Sequence, residues 1–238
     1  MAEDWVKSAA ELFGAELNET QQEQFRVYEA LLLEWNAKIN LTAVRDTEGI
    51  RIKHFLDSLS CVSVLGGMNG KSLIDIGTGA GFPGIPLRIF YPEMRLTLVD
   101  SVGKKADFCR LAADTLHLKG VKVLKDRSEE LGANKEHREK YDAATARAVA
   151  VMPVLCEYLL PLVKVGGQML AMKGDTAPEE AKTAAAAIRK LGGSDPMLTE
   201  VTLPEVEGKR WLVSVPKTAP TPAGYPRRTG LPLKKPIL

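Results

Sequence analysis

The stretch Ser72–Pro86, SLIDIGTGAGFPGIP, decides how this chain is read. Its first part, Leu73-Ile74-Asp75-Ile76, is a short apolar run, the mark of a strand buried on both faces of a parallel sheet. Gly77, Gly79, Gly81 and Gly84 follow closely. Pro83 stands where a helix can begin, at a position that needs no N–H. Strand, glycine loop and helix start together bring backbone N–H groups up to a ligand. Glycine is needed where a Cβ would block that approach.

Two cofactor classes use such a loop. Gly79-x-Gly81-x-x-Gly84 fits the dinucleotide spacing. The strand ends at Ile76, however, so the first glycine after it is Gly77. Counted from there the pattern is Asp75-x-Gly77-x-Gly79-x-Gly81. An acidic residue two before an alternating glycine run resembles the first motif of class I S-adenosylmethionine (SAM) methyltransferases. SAM carries no pyrophosphate, so the loop packs against its methionine part and need not cradle an anion. The spacing therefore favours SAM over a dinucleotide, and both over a ligand-free connection. Arg95–Val99, RLTLV, reads as a second strand ending at Asp100. An acid about 20 residues past the glycines, at a strand's end, is placed to bind ribose hydroxyls in either class.

Working outward, 238 residues suit one large domain or one domain with an appendage. A content of 45% hydrophobic and 26% charged residues is ordinary for a soluble globular protein. The net charge is only +2, so attraction to a polyanion must come from local clustering. Cys61, Cys109 and Cys156 have no paired spacing. With no signal-peptide pattern and no apolar run long enough to span a bilayer, the expected location is cytoplasmic, without membrane contact. His54, His117 and His137 are scattered, so no metal site is expected.

Residues 1–66 read as an N-terminal helical extension packed on the core. Asn18 or Thr20 can cap a helix, with Glu23 completing a capping box from Thr20. Phe25, Tyr28, Leu31, Leu32, Trp35 and Ile39 recur at helical spacing, a face turned to the sheet. Helix character fails at Asn40-Leu41-Thr42. Another helix starts near Asp46 or Thr47 and runs through Cys61. Its Arg51, Lys53, His54 and Asp57 read as a solvated face, with a substrate mouth as the alternative.

Residues 67–216 read as the core. After Asp100 comes an amphipathic helix over 104–118 and a strand over 121–124. Ser128-Glu129-Glu130 is a helix start, with a capping serine and acids at the positive end of the dipole. The loop around Asp126 to Glu129 is a candidate contact for an adenine edge. Tyr141 to Thr145 reads as a fourth strand, followed by Ala146-Arg147-Ala148. A helix over 151–162 and a strand over 168–172, ending at Lys173, follow. After a helix over 178–191, strands over 197–203 and 210–215 have no helix between them. Alternating strands and helices predict a parallel sheet covered on both faces. The closing hairpin makes one edge antiparallel, which resembles the Rossmann-like seven-stranded class I methyltransferase sheet, last strand antiparallel. Ligands bind beyond the carboxyl ends of such strands. That rule gathers the loop Gly77–Phe82, Asp100, Ser128, Glu129, Arg147 and Lys173 around one crevice.

Residues 217–238 form a basic, proline-rich arm. Lys217, Arg227, Arg228, Lys234 and Lys235 stand there without an acidic residue. Such an arm reaches phosphates, and Tyr225 beside the arginines is placed to stack on a base. A disordered, solvated end is the alternative.

Five segments carry a closer resemblance. EWNAKINLTA (Glu34–Ala43), KHFLDSL (Lys53–Leu59), DIGTGAGFPGIPL (Asp75–Leu87), TARAVA (Thr145–Ala150) and YPRRTGLPLKKPI (Tyr225–Ile237) look like the signatures of the bacterial glucose-inhibited division protein B family. That family is also called 16S ribosomal RNA guanine-N7 methyltransferase G. The resemblance covers nearly the whole chain. It implies methyl transfer from SAM to N7 of one guanine in the decoding-region loop of 16S rRNA. The partner is then 16S rRNA or the small ribosomal subunit, and the enzyme is expected to be a monomer. The family's cofactor positions fall on Gly77, Phe82, the Ser128-Glu129 pair and Arg147. Alanine is commoner in the family at Ser128, which suits a backbone contact. The tail's likeness implies an RNA arm of Tyr225, Arg227, Arg228, Lys234 and Lys235.

The residues themselves suit an N7 target. An exocyclic amine acceptor is served by an Asn-Pro-Pro-Tyr-like run after the fourth strand, where this chain has Thr145-Ala146-Arg147-Ala148. A pyrimidine C5 acceptor needs an attacking thiolate, and no cysteine has activating neighbours. Guanine N7 already presents an in-plane lone pair, so positioning carries most of the rate, with Arg147 and Lys173 as the candidate participants. A dinucleotide-dependent oxidoreductase would need an acid or base at a strand end, and no histidine is there. A non-catalytic RNA scaffold would leave the Asp75–Gly81 loop and Asp100 unexplained.

Overall fold

The computed structural model describes residues 4–238. Two helices open it, α1 (Asp4–Phe13) and α2 (Glu19–Ile39). Asn18 is the cap of α2, and its side chain and that of Gln21 close a reciprocal capping box. The cap is therefore not Thr20 with Glu23. Gln21 is preferred because its amide also donates to the carbonyls of Ile89 and Phe90, a tie that a carboxylate cannot make. The α2 helix ends at Asn40, which takes the left-handed conformation at φ 49°.

The helix expected from Asp46 to Cys61 is continuous through Leu59 but changes its winding, and a further short helix follows it. Its parts are α3 (Thr47–Ile50), a π-helical stretch Arg51–Leu56 and α4 (Asp57–Leu59), and the further helix is α5 (Val62–Leu65). Wider π turns put an extra residue into the winding, so side chains beyond them are rotated relative to a regular helix.

The sheet begins with β1 (Ser72–Ile76), followed by α6 (Gly84–Phe90), β2 (Arg95–Val99), α7 (Gly103–Thr115), β3 (Val121–Leu124) and α8 (Ser128–Ala133). Next come β4 (Tyr141–Arg147), α9 (Met152–Leu159), a short 3-10 turn and β5 (Val163–Lys173). The chain continues through α10 (Ala177–Thr183), α11 (Ala185–Lys190), β6 (Met197–Val201), β7 (Arg210–Pro216) and α12 (Leu231–Lys234). The strand order is β3-β2-β1-β4-β5-β7-β6. Strands β1 to β5 are parallel, and β7 enters antiparallel between β5 and β6.

Several expected boundaries move, most of them by a few residues. β4 extends through Arg147 because Ala146 and Arg147 still pair with Ala171 and Met172. β5 begins at Val163 and carries Gly166-Gly167 inside it, where Gly166 N–H donates to Lys217 O and Lys217 N–H to Gly167 O. The helix expected over 178–191 divides at Ala184.

Strand alternation divides the core between the two faces. Leu73, Leu98, Ala143, Leu170 and Leu212 lie on one face, with Phe25, Tyr28, Phe55 and Phe108. Ile74, Val99, Ala144, Met169 and Val213 lie on the other, with Leu155, Leu159 and Ile188. The N-terminal helices thus share a hydrophobic cluster with α6 and α7. Burying each large apolar side chain contributes about 1.5–3 kcal/mol. No described helix is long and apolar enough to cross a membrane.

Candidate active site

The loops that follow β1, β2 and β4 lie side by side at the carboxyl ends of neighbouring strands, and the glycine loop is bonded there to Asp100. Asp75 lies beneath that loop. It shares the Leu73 face of β1, is fully buried, and its Oδ2 accepts from Thr78 Oγ1 at 2.6 Å and Gly84 N–H at 3.0 Å. Burial pushes its carboxyl up to about 7. Asp75 is therefore the staple that closes the loop onto α6, and it has no exposed atom for a ligand. The strand alternation that reads Asp75 as two before Gly77 also turns it away from the crevice.

The glycines divide in the same way. Gly79 has φ 61°, and a Cβ built there meets nothing within 4 Å. That is open space over the loop. At Gly81 a Cβ would run into Ile85 and the Tyr28 hydroxyl, so this glycine serves packing. Gly77 backs on Val149, 2.6 Å from where a Cβ would sit. Tyr28 donates to Ala80 O at 2.5 Å, so α2 pins the loop from below.

Asp100 bridges the loop and the second strand end. Its Oδ2 accepts from Gly79 N–H at 2.9 Å and its Oδ1 from Val102 N–H at 2.8 Å. Ser128 turns inward, with Oγ donating to Tyr158 O at 2.7 Å. Glu129 is buried, and its Oε1 accepts from Gly230 N–H at 2.9 Å.

Arg147 emerges from the end of β4 and is gripped by the N-terminal helices. Its Nη1 donates to Asp57 Oδ2 at 2.8 Å and Lys53 O at 3.1 Å, and Nη2 lies 3.3 Å from His54 Nδ1. The guanidinium covers the buried Phe82 ring at 4.9 Å, and His54 lies 4.6 Å from that ring. His54 and Asp57 are thus part of the crevice rim and not a solvated face. Regular helical spacing missed them because they lie in and just after the π turns. The fork of Arg51 closes on Glu29 instead, and Lys53 alone of the four is exposed.

Lys173, at the end of β5, lines a cavity together with Arg147. Its Nζ contacts Glu180 at 2.7 Å and Ala150 O at 3.0 Å, fastening β5 to α10. That cavity, of about 160 Å³, opens between Asp57, Met172 and Trp211. The Trp211 indole N–H finds no hydrogen-bond partner among the described residues.

The tail is also corrected. It is a packed strap and not an extended arm. Lys217 is buried, donating to the carbonyls of Leu160 and Leu191 and to Thr221. Arg227 pairs with the buried Glu157 at 2.6 Å, and Tyr225 is half-buried under Lys190 and Arg227. Arg228, Lys234 and Lys235 are exposed. Composition marked this segment as basic, but the acids that hold it lie far away in sequence.

Burial, and then the charge of Arg147, lower His54 from its usual value to about 4. The unfolded chain would take up that proton near pH 6.5. The neutral ring therefore supports the fold fully above pH 6.5, and that stability is lost as pH falls through 6.5 towards 4. The ring-proton shifts of His54 are expected to stay unchanged from pH 8 to about 5. A midpoint near 6.5 would show that the ring is not enclosed as described. All three cysteines are buried, and burial raises every thiol.

Comparisons with known proteins bear on the family and the fold. The GidB family, described as rRNA small subunit methyltransferase G, matches residues 21–207. A ribosomal RNA small subunit methyltransferase G of Roseiflexus sp. (strain RS-1) is 49% identical over 234 residues, 98% of this chain and 99% of that protein. The protein of that name from Halalkalibacterium halodurans is 46% identical over 94% of each chain. In fold, the chain is similar to a SAM-dependent O-methyltransferase from Thermotoga maritima, with a TM-score of 0.53 at 13% identity, covering 80% of this chain and 72% of that one. A precorrin-6y C5,15-methyltransferase from Geobacter metallireducens aligns with a TM-score of 0.53 at 13% identity, over 68% of this chain and 86% of that one.

Proposed function

The chain belongs to the rRNA small subunit methyltransferase G family, and from that premise we propose that it methylates N7 of one guanine in the decoding-region loop of 16S rRNA. The observation that carries the reading is the open space over Gly79, between Asp100 and Arg147, at the carboxyl ends of the parallel strands. Gly77, Gly79, Asp100 and the backbone at Ser128-Glu129 would hold S-adenosylmethionine there. When bound, that cofactor supplies an electrophilic methyl on sulfur.

The rest falls to the protein's own groups, which need only orient the acceptor. Guanine N7 presents its lone pair in the ring plane, so no proton has to leave before transfer. The raised thiols argue against a covalent cysteine route, since the thiolate is the nucleophile. Methylation leaves the guanine cationic, and the cavity beside Asp57 and Trp211 offers it a carboxylate and an aromatic wall. Arg147, Lys173 and Arg210 line the same cavity; Arg147 is paired there with Asp57 and Lys173 with Glu180. We take the enzyme to act as a monomer without a metal ion.

Incubation of labelled SAM with small subunits and with naked 16S rRNA, followed by mapping of the label, tests this reading. Label at N7 of a single guanine is expected. Label on a pyrimidine or an exocyclic amine would overturn it.

The cofactor site has its own test. S-adenosylhomocysteine at 100 times its Kd should stabilise the protein by about 2.7 kcal/mol. Gly79→Val places a branched side chain in the open space and at a positive φ that L residues resist. The variant should fold with a lower Tm and show no shift with the ligand. An undiminished shift would move the cofactor elsewhere.

A further inference from the structure

The strap meets the crevice at α8. That helix carries Ser128 and Glu129 at its start and Gly132 near its end. Gly230 N–H donates to Glu129, and Thr229 Oγ1 lies 3.3 Å from Glu130 Oε1. At the other end, Pro226 packs so closely on Gly132 that a Cβ there would lie 2.8 Å from its ring. Arg138 fastens the strap from outside, donating to the carbonyls of Thr221, Pro222 and Tyr225 as well as Gly132. The strap therefore touches α8 at both ends.

The charges on the strap fall into two sets. Lys217 and Arg227 are spent on internal bonds. Arg228, Lys234 and Lys235 are exposed on the segment that reaches Glu129. A polyanion bound by these three would hold down the piece of backbone that positions the edge of the crevice.

We propose that the strap couples RNA to cofactor: 16S rRNA phosphates engaged by Arg228, Lys234 and Lys235 seat the strap, the strap seats Glu129, and the two ligands bind with positive cooperativity. This rests on the methyltransferase reading above. Coupling of this kind is reciprocal, so RNA tightens the cofactor by the same factor as the cofactor tightens RNA.

Calorimetry of S-adenosylhomocysteine on the full chain, with and without saturating naked 16S rRNA or small subunits, tests the coupling. RNA should tighten the ligand by about fivefold or more, within the usual range of such effects. Arg138→Met, which leaves no buried counter-charge, should bring the factor close to one. Should that variant fail to fold, the Arg228→Ala, Lys234→Ala, Lys235→Ala triple gives a second reading. It should bind S-adenosylhomocysteine alone as tightly as the parent and lose the enhancement. Its RNA salt slope should also fall by about 0.7 per lost contact on single-stranded RNA. Equal ligand affinity with and without RNA in the parent would overturn the coupling while leaving methyl transfer standing. Coupling without labelled RNA product would overturn the functional reading alone.

Discussion

Arg147→Ala is expected to abolish most methyl transfer and to lower the Tm by about 6–20 °C. The thermal figure follows from the partner left behind. The side chains of Arg147 and Asp57 are only 17% and 10% exposed. Removing one member of such a pair strands a charge out of water, at a cost of about 3–5 kcal/mol. In a chain of this size each kcal/mol is worth about 2–4 °C. The catalytic loss has a different origin. Without the guanidinium, Phe82, His54 and the end of β4 lose their common brace. Small misplacements at a positioning site cost about 100-fold. The two effects separate in a double variant. Asp57→Asn added to Arg147→Ala should recover much of the Tm, because the stranded charge is gone, but not the rate. Full single-turnover activity in Arg147→Ala would remove this residue from the site.

Arg227→Ala should cost stability first and RNA affinity only as a consequence. Its fork closes on Glu157, whose side chain is 1% exposed, and its own backbone N–H donates to the same carboxylate. Loss of the arginine leaves a buried carboxylate, again at about 3–5 kcal/mol. The adjacent Arg228→Ala should leave the stability within about 0.5 kcal/mol of the parent, as exposed substitutions do. Thermal melts of the two single variants decide the matter. If Arg228→Ala is the more destabilising, the strap is not fastened as described.

The sequence by itself determined the sheet class, the glycine loop between β1 and α6, and the family. Each of these rests on local signals: apolar runs of strand length, glycines counted from a strand end, an acid at the end of the next strand, and short motifs read along the chain. Such signals survive because strand and turn preferences act over a few residues. Glycine spacing could not say which glycine borders open space and which backs on side chains, since that depends on Val149, Ile85 and Tyr28 arriving from elsewhere. Nor could it separate Asp75, which staples the loop, from Asp100, which lies at the strand end. His54 and Asp57 were visible only as polar residues in a helix, because a π turn leaves no period in sequence. The tail looked free for the same kind of reason. Its charge was countable, but Glu129, Arg138 and Glu157 are brought to it only by the packing of α8 and α9. Whether a charged group faces solvent or is spent inside the fold depends on long-range partners, and only the tertiary structure decides those.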